Sequence, residues 1–245
     1  MKGAEKMRHF KPIVLIAVIV FQICILSSCG EYETKNLSDG TLEIVDYKGH
    51  KKDVVIPTVI GGKKVTAIGE KAFQEKELTS VIIPEGITII GEKAFSDNRL
   101  LSLIIPDTVT TIGNWAFCIN KLVSVIIPNT ITKISDAAFW RNEITNINIP
   151  DSVTIIGDGA FADNQLSTVI ILNSVILIGE RAFTNNMLTH VTIPNGDAVI
   201  AYNAFDNEVV IDQPNQSAIN LSELSDEEQA KREATIKKFL DLFPD

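Results

Sequence analysis

Val125–Phe139, VIIPNTITKISDAAF, and Ile147–Phe161, INIPDSVTIIGDGAF, are two copies of one pattern set 22 residues apart. Working outward, the same Ala-Phe close returns at Phe73, Phe95, Phe117, Phe139, Phe161, Phe183 and Phe205, each preceded by Ala. A fixed period of this length predicts a stacked solenoid, in which a unit buries its apolar side only against its neighbours.

Within the unit, Leu100, Leu103 and Ile105, then Leu122, Val125 and Ile127, recur as L-x-x-L-x-L. Alternate residues of an extended chain face one way, so the last two positions point inward together. Pro84, Pro106, Pro128, Pro150 and Pro194 end that strand, because proline has no N–H to continue a ladder. Ile90, Ile112, Ile134, Ile156, Ile178 and Ile200 complete a second apolar half. Glycine follows in most copies, but Ser135 and Ala201 share its slot, which predicts a bend or close approach rather than an obligatory positive φ. Asn98, Asn120, Asn142, Asn164 and Asn186 lie three residues after each Phe and are expected to form a structural amide ladder.

These motifs resemble the BspA-like class of bacterial leucine-rich repeat proteins, over roughly Thr41 to Val210. The unit is one residue shorter than that family's more usual one, and Asn stands where Cys is frequent. The resemblance implies a leucine-rich repeat solenoid, predominantly β, and a cell-surface or secreted binding or adhesion role without catalysis. About seven 22-residue coils are expected, with an N-terminal β-hairpin cap and a short C-terminal helix. Leu42, Ile44 and Val45 are read as pairing with Val54, Val55 and Ile56 across a polar turn at Lys48 to Asp53. Pro57 to Phe73 carries five additional residues, placed in a turn at Gly61 and Gly62.

At the amino end, Lys2, Lys6, Arg8 and Lys11 precede a 14-residue apolar run, Ile13 to Leu26, broken by Gln22. That is the layout of a secretory signal and is short for a bilayer span. Leu26, Ser27, Ser28 and Cys29 resemble a lipoprotein processing site, which implies lipidation of Cys29. The expected division is a signal peptide at 1–28, a tether at 29–40, repeats at 41–211, a linker at 212–224 and an amphipathic helix at 225–245. Ser225 with Glu228 reads as its capping box, and Ile236, Phe239, Leu240 and Phe243 share one side. Gly30 is not the Asp associated with inner-membrane retention, so the expected location is the bacterial cell envelope, at the outer membrane or cell surface. Membrane attachment is through the N-terminal lipid.

The formal charge of the chain is −9, and removal of residues 1–28 leaves 18 basic residues against 30 acidic ones. Such a balance repels phosphate backbones, so nucleic acid is not an expected partner. Cys118, the one thiol inside the repeats, stands where other copies have Ser96, Trp140, Ala162 and Thr184, and reads as a tolerated surface or half-buried residue. No catalytic, cofactor or metal motif is present. Glu92, Asp136, Asp158 and Glu180 recur before Ala-Phe but share that slot with Asn114 and Tyr202, which suits a solvated turn.

The candidate binding face is the outward side of the repeat strands: Ile82, Leu101, Ile104, Val123, Ile126, Asn148, Ile170, His190 and Thr192. Four isoleucines beside Leu101 and Val123 are the kind of contiguous apolar surface that marks an interaction site. The strand preference of β-branched residues also accounts for them. A protein or glycan ligand at the cell surface is the expected partner, with a self-associating envelope component as the alternative. The oligomeric state is open.

Overall fold

The computed structural model describes residues 30–214 and Ala234; the leader, Cys29 and nearly all of the expected C-terminal helix lie outside the described residues. The chain enters through β1 (Tyr32–Asn36), β2 (Leu42–Tyr47), β3 (Asp53–Val55), β4 (Val59–Ile60) and β5 (Lys63–Ile68). The regular coils carry β6 (Ser80–Ile82), β7 (Ile89–Ile90), β8 (Ser102–Ile104), β9 (Thr111–Ile112), β10 (Ser124–Ile126), β11 (Lys133–Ile134), β12 (Ile155–Ile156) and β13 (Leu177–Ile178). The last are β14 (His190–Thr192), β15 (Val199–Ile200) and β16 (Val210–Asp212). Among the described residues no helix is long and apolar enough to cross a membrane.

The strands stack in parallel into a leucine-rich repeat β-solenoid of about eight turns. One ladder runs through β2, β5, β7 and β9, with Ile44, Ile68, Ile90 and Ile112 in register. A second joins β11, β12, β13 and β15 through Ile134, Ile156, Ile178 and Ile200. On the other side of each coil, β3 pairs with β6, β8 with β10, and β14 with β16, while Asn148 and Ile170 form a single bridge.

The seven phenylalanines form one column, their ring centroids 4.9 to 5.8 Å apart and nearly coplanar in orientation. Tyr47 extends it, 5.4 Å from Phe73, and its N–H donates to Ala72 O as Phe73 N–H does to Ala94 O. Tyr47 is thus the ring of an eighth coil rather than part of a cap turn. This corrects two expectations. β2 does not pair with β3, because the two belong to different sides of that first coil; its antiparallel partner is β1, inside the segment expected as a tether. Tyr32 on β1 stacks 5.3 Å from Tyr47 and covers the end of the column. The Gly61-Gly62 turn is as expected: both glycines take positive φ (57° and 81°) and join β4 to β5 as a two-residue hairpin.

The repeated glycines serve close approach. A Cβ on Gly113 would lie 2.5 Å from the Glu92 nitrogen of the preceding coil, and none of Gly69, Gly91, Gly113, Gly157 and Gly179 has positive φ. Gly91, Gly113, Gly157 and Gly179 donate their N–H to the preceding Ile carbonyl, each at 2.8 Å. Ala201 keeps the equivalent bond to Ile178 O at 2.9 Å, so a Cβ alone is tolerated in that coil. At Ser135 the hydroxyl takes the Ile112 carbonyl instead, and the ladder is broken between β9 and β11.

Left-handed backbone occurs elsewhere, at non-glycine residues. Lys71, Lys93, Trp115, Ala137 and Arg181, two before each Phe, have φ of 51° to 63°. Their N–H groups donate to the next coil's carbonyl at 2.8 to 3.1 Å, which offsets a conformational cost of about 1 to 2 kcal/mol per residue.

Candidate binding face

Alternation along β8 buries Leu103 and turns Ser102 and Ile104 to solvent, and β10 repeats this with Ser124, Val125 and Ile126. Parallel register then aligns the same strand position of successive coils: Val55 with Ile82, Ile104 with Ile126, Asn148 with Ile170, and Thr192 with Asp212. Ile82, Ile104, Ile126 and Ile170 are 60%, 68%, 60% and 65% exposed. Leu101 and Val123 stand beside them, also exposed, tied by a Val123 N–H to Leu101 O bond of 3.0 Å. His190 lies in the neighbouring column, opposite Val210, and shares β14 with Thr192. The predicted face is therefore exposed throughout, but its apolar part is centred on Leu101, Ile104, Val123 and Ile126.

The ends of the face differ from its middle. At the first coils, Glu77 bridges Lys52 and Arg99, at 3.2 and 2.8 Å. Asp53 accepts the Ser80 and Thr79 hydroxyls at 2.6 and 2.8 Å, and those bonds hold its carboxyl below the usual range. At the last coils Thr192 and Asp212 replace the isoleucines, and His190 stands in the column of Ser80, Ser102 and Ser124. Sequence reading missed Val55 and Asp212 as continuations of the row, although Val54, Val55, Ile56 and Pro57 repeat the strand-then-proline pattern.

Two other columns are structural. Each corner asparagine donates Nδ2–H to its own Phe carbonyl (2.9 to 3.2 Å) and to that of the preceding coil (2.7 to 3.0 Å). Its Oδ1 accepts the preceding coil's Leu or Ile N–H at 2.9 to 3.1 Å. In the acidic turns, Asp136 Oδ1 accepts Asp158 N–H and Asp158 Oδ1 accepts Glu180 N–H. Packing against the turn raises the Asp158 carboxyl, and the flanking Asp136 and Glu180 raise it further. No group of His, Cys, Asp or Glu among the described residues could hold a metal ion. Cys118 is buried, not half-exposed, and burial, with Asp97 nearby, pushes its thiol up to about 12.

The family described as "BspA type Leucine rich repeat region (6 copies)" matches residues 43–164 and again 89–212. Similar solved structures include a leucine rich cell surface protein from Faecalibacterium prausnitzii, 21% identical over 75% of each chain, with a TM-score of 0.44. A leucine-rich repeat protein from Bacteroides ovatus is 18% identical over 75% of this chain and 70% of that one (TM-score 0.39). The T. pallidum leucine-rich repeat protein is 20% identical, covering 54% of this chain and 86% of that one (TM-score 0.33). No curated protein matches the chain.

Proposed function

Because the chain belongs to the BspA-type leucine-rich repeat family across residues 43–212, we propose that it is a non-catalytic binding or adhesion module of the bacterial cell envelope. The outward strand face meets a protein or glycan ligand, and Cys29 carries the lipid that holds the module at the outer membrane or cell surface. One observation supports the binding role: six large apolar side chains, Ile82, Leu101, Ile104, Val123, Ile126 and Ile170, stand exposed together on the strand face, whereas the Phe and Ala columns of the core are buried. Two or three acyl chains would suffice for a stable anchor, at about 0.8 kcal/mol per buried methylene.

The test is Ile104→Asp with Ile126→Asp. Cells displaying the variant should lose adherence to surfaces coated with matrix proteins or host glycans, while the melting curve of the protein stays within about 1 kcal/mol of wild type. Undiminished adherence by a folded double variant removes the strand face from the proposal. The self-associating alternative rests on the same row and is separated by light scattering. A monomer favours external recognition, and an oligomer dispersed by the double variant favours self-association.

A further inference from the structure

Both tryptophans of the chain meet at one place in the Ala-Phe turns, away from the strand face. Trp115 and Trp140 come from successive coils and contact edge to face, their centroids 5.4 Å apart. The solenoid requires neither. The Trp115 slot is filled elsewhere by Lys71, Lys93, Ala137, Gly159, Arg181 and Asn203, and the Trp140 slot by Gln74, Ser96, Cys118, Ala162, Thr184 and Asp206. Ile119 is likewise the one apolar residue in a slot that otherwise holds Glu75, Asp97, Arg141, Asp163 and Asn185. Three departures from the repeat thus gather on one turn surface, where Trp115 is 37% exposed.

Polar groups around the rings are held in place. Asp163 accepts Trp140 Nε1–H with Oδ2 and Asn185 Nδ2–H with Oδ1, each at 2.7 Å, so both of its oxygens are engaged. Arg141 lies over the Trp140 ring, its guanidinium carbon 4.9 Å from the centroid. Its side-chain N–H groups have no hydrogen bond or ion pair among the described residues. Lys93 approaches Trp115 at 5.9 Å and is paired with Glu92 at 3.2 Å. The surface therefore offers exposed indole and a guanidinium fixed by stacking with its donors unused.

We infer that this cluster is a second binding site, for a carboxylated pyranose such as a hexuronic acid residue of an acidic glycan. The apolar C–H side of the ring lies on Trp115 and Ile119, and the carboxylate takes the Arg141 fork. A peptide fits less well. The local backbone donors are consumed between coils, Trp115 N–H on Asp136 O, Ile119 N–H on Trp140 O and Arg141 N–H on Ala162 O, so no main-chain edge is free for it. A small anion without an apolar face would face a chain of charge −9 with the Arg141 guanidinium as its one unengaged cation within this cluster.

The two tryptophans are the chain's only ones, so its indole emission reports on this site alone. The full chain, kept in detergent, is titrated with a glucuronic acid disaccharide, the matching glucose disaccharide and an acidic tetrapeptide. The uronate should give a saturable change, about ten-fold or more tighter than the neutral sugar. Arg141→Gln should abolish that preference, and Trp115→Ala, which restores a residue the next coil already uses, should weaken both sugars without lowering the melting temperature. Ile104→Asp with Ile126→Asp should leave uronate binding unchanged, which separates this site from the strand face. No saturation by about 10 mM, a preference that survives Arg141→Gln, or saturation by the peptide alone each overturns the assignment.

Discussion

The Phe-Asn corner and the strand face lie in the same coils and obey different rules. At the corner, one side chain recurs with the same set of bonds in coil after coil, and every ring stacks on the last. On the strand face, the ladder is reduced to three strand pairs and one bridge, and the outward residue changes from Ile to Asn to Thr. Where a side chain satisfies the backbone of its neighbour, a substitution leaves a buried group unpaired, and the repeat is strict. Where it points to water, the repeat is free to vary.

The sharpest way to break this contrast is Phe139→Ala, in the middle of the ring column. It should cost about 4 kcal/mol in urea denaturation, since neighbours on both sides lose a stacked ring and cannot close the gap. A loss below about 1 kcal/mol would mean the column is not continuous packing. Asn142→Ala comes next, at about 2 kcal/mol, because it strands the buried Leu122 N–H and leaves the Phe117 and Phe139 carbonyls with one asparagine donor each, from Asn120 and Asn164. Ser135→Gly is smaller, within about 1 kcal/mol, and is read by hydrogen exchange. Its amide should become as protected as those of Gly113 and Gly157 once the Ile112 carbonyl is released to it, joining the two halves of the ladder. Smallest of all is the strand-face pair Ile104→Asp with Ile126→Asp, whose effect belongs in binding rather than in stability.

Much of the solenoid was legible because its determinants are local. Phe, Asn, Ile and Pro each report a coil position directly, and the asparagine ladder followed from spacing alone. The first coil was less legible. Its aromatic residue is Tyr47, only three residues after Ile44, whereas Phe73 follows Ile68 by five, so the period failed where the chain shortened a turn. β1 was hidden for a different reason: Tyr32–Asn36 reads as polar, and its strand exists because β2 offers an edge and Tyr47 a ring to cover. The exposed isoleucine row could be placed by alternation, yet its apolar centre and polar ends emerged only with the coil-to-coil register.

The repeat alone determined the stacked β architecture, the buried columns and the side of each strand that faces water, because a period of 22 and alternation within a strand are properties of one chain segment at a time. The tertiary structure decided what lies beside what. It brought Trp115 to Trp140 and freed Arg141 by engaging Asp163 elsewhere, and it let one serine hydroxyl divide a ladder. These are contacts between coils, and a hydrogen bond or a ring contact made across 22 to 25 residues exists only once the stack has set the distance.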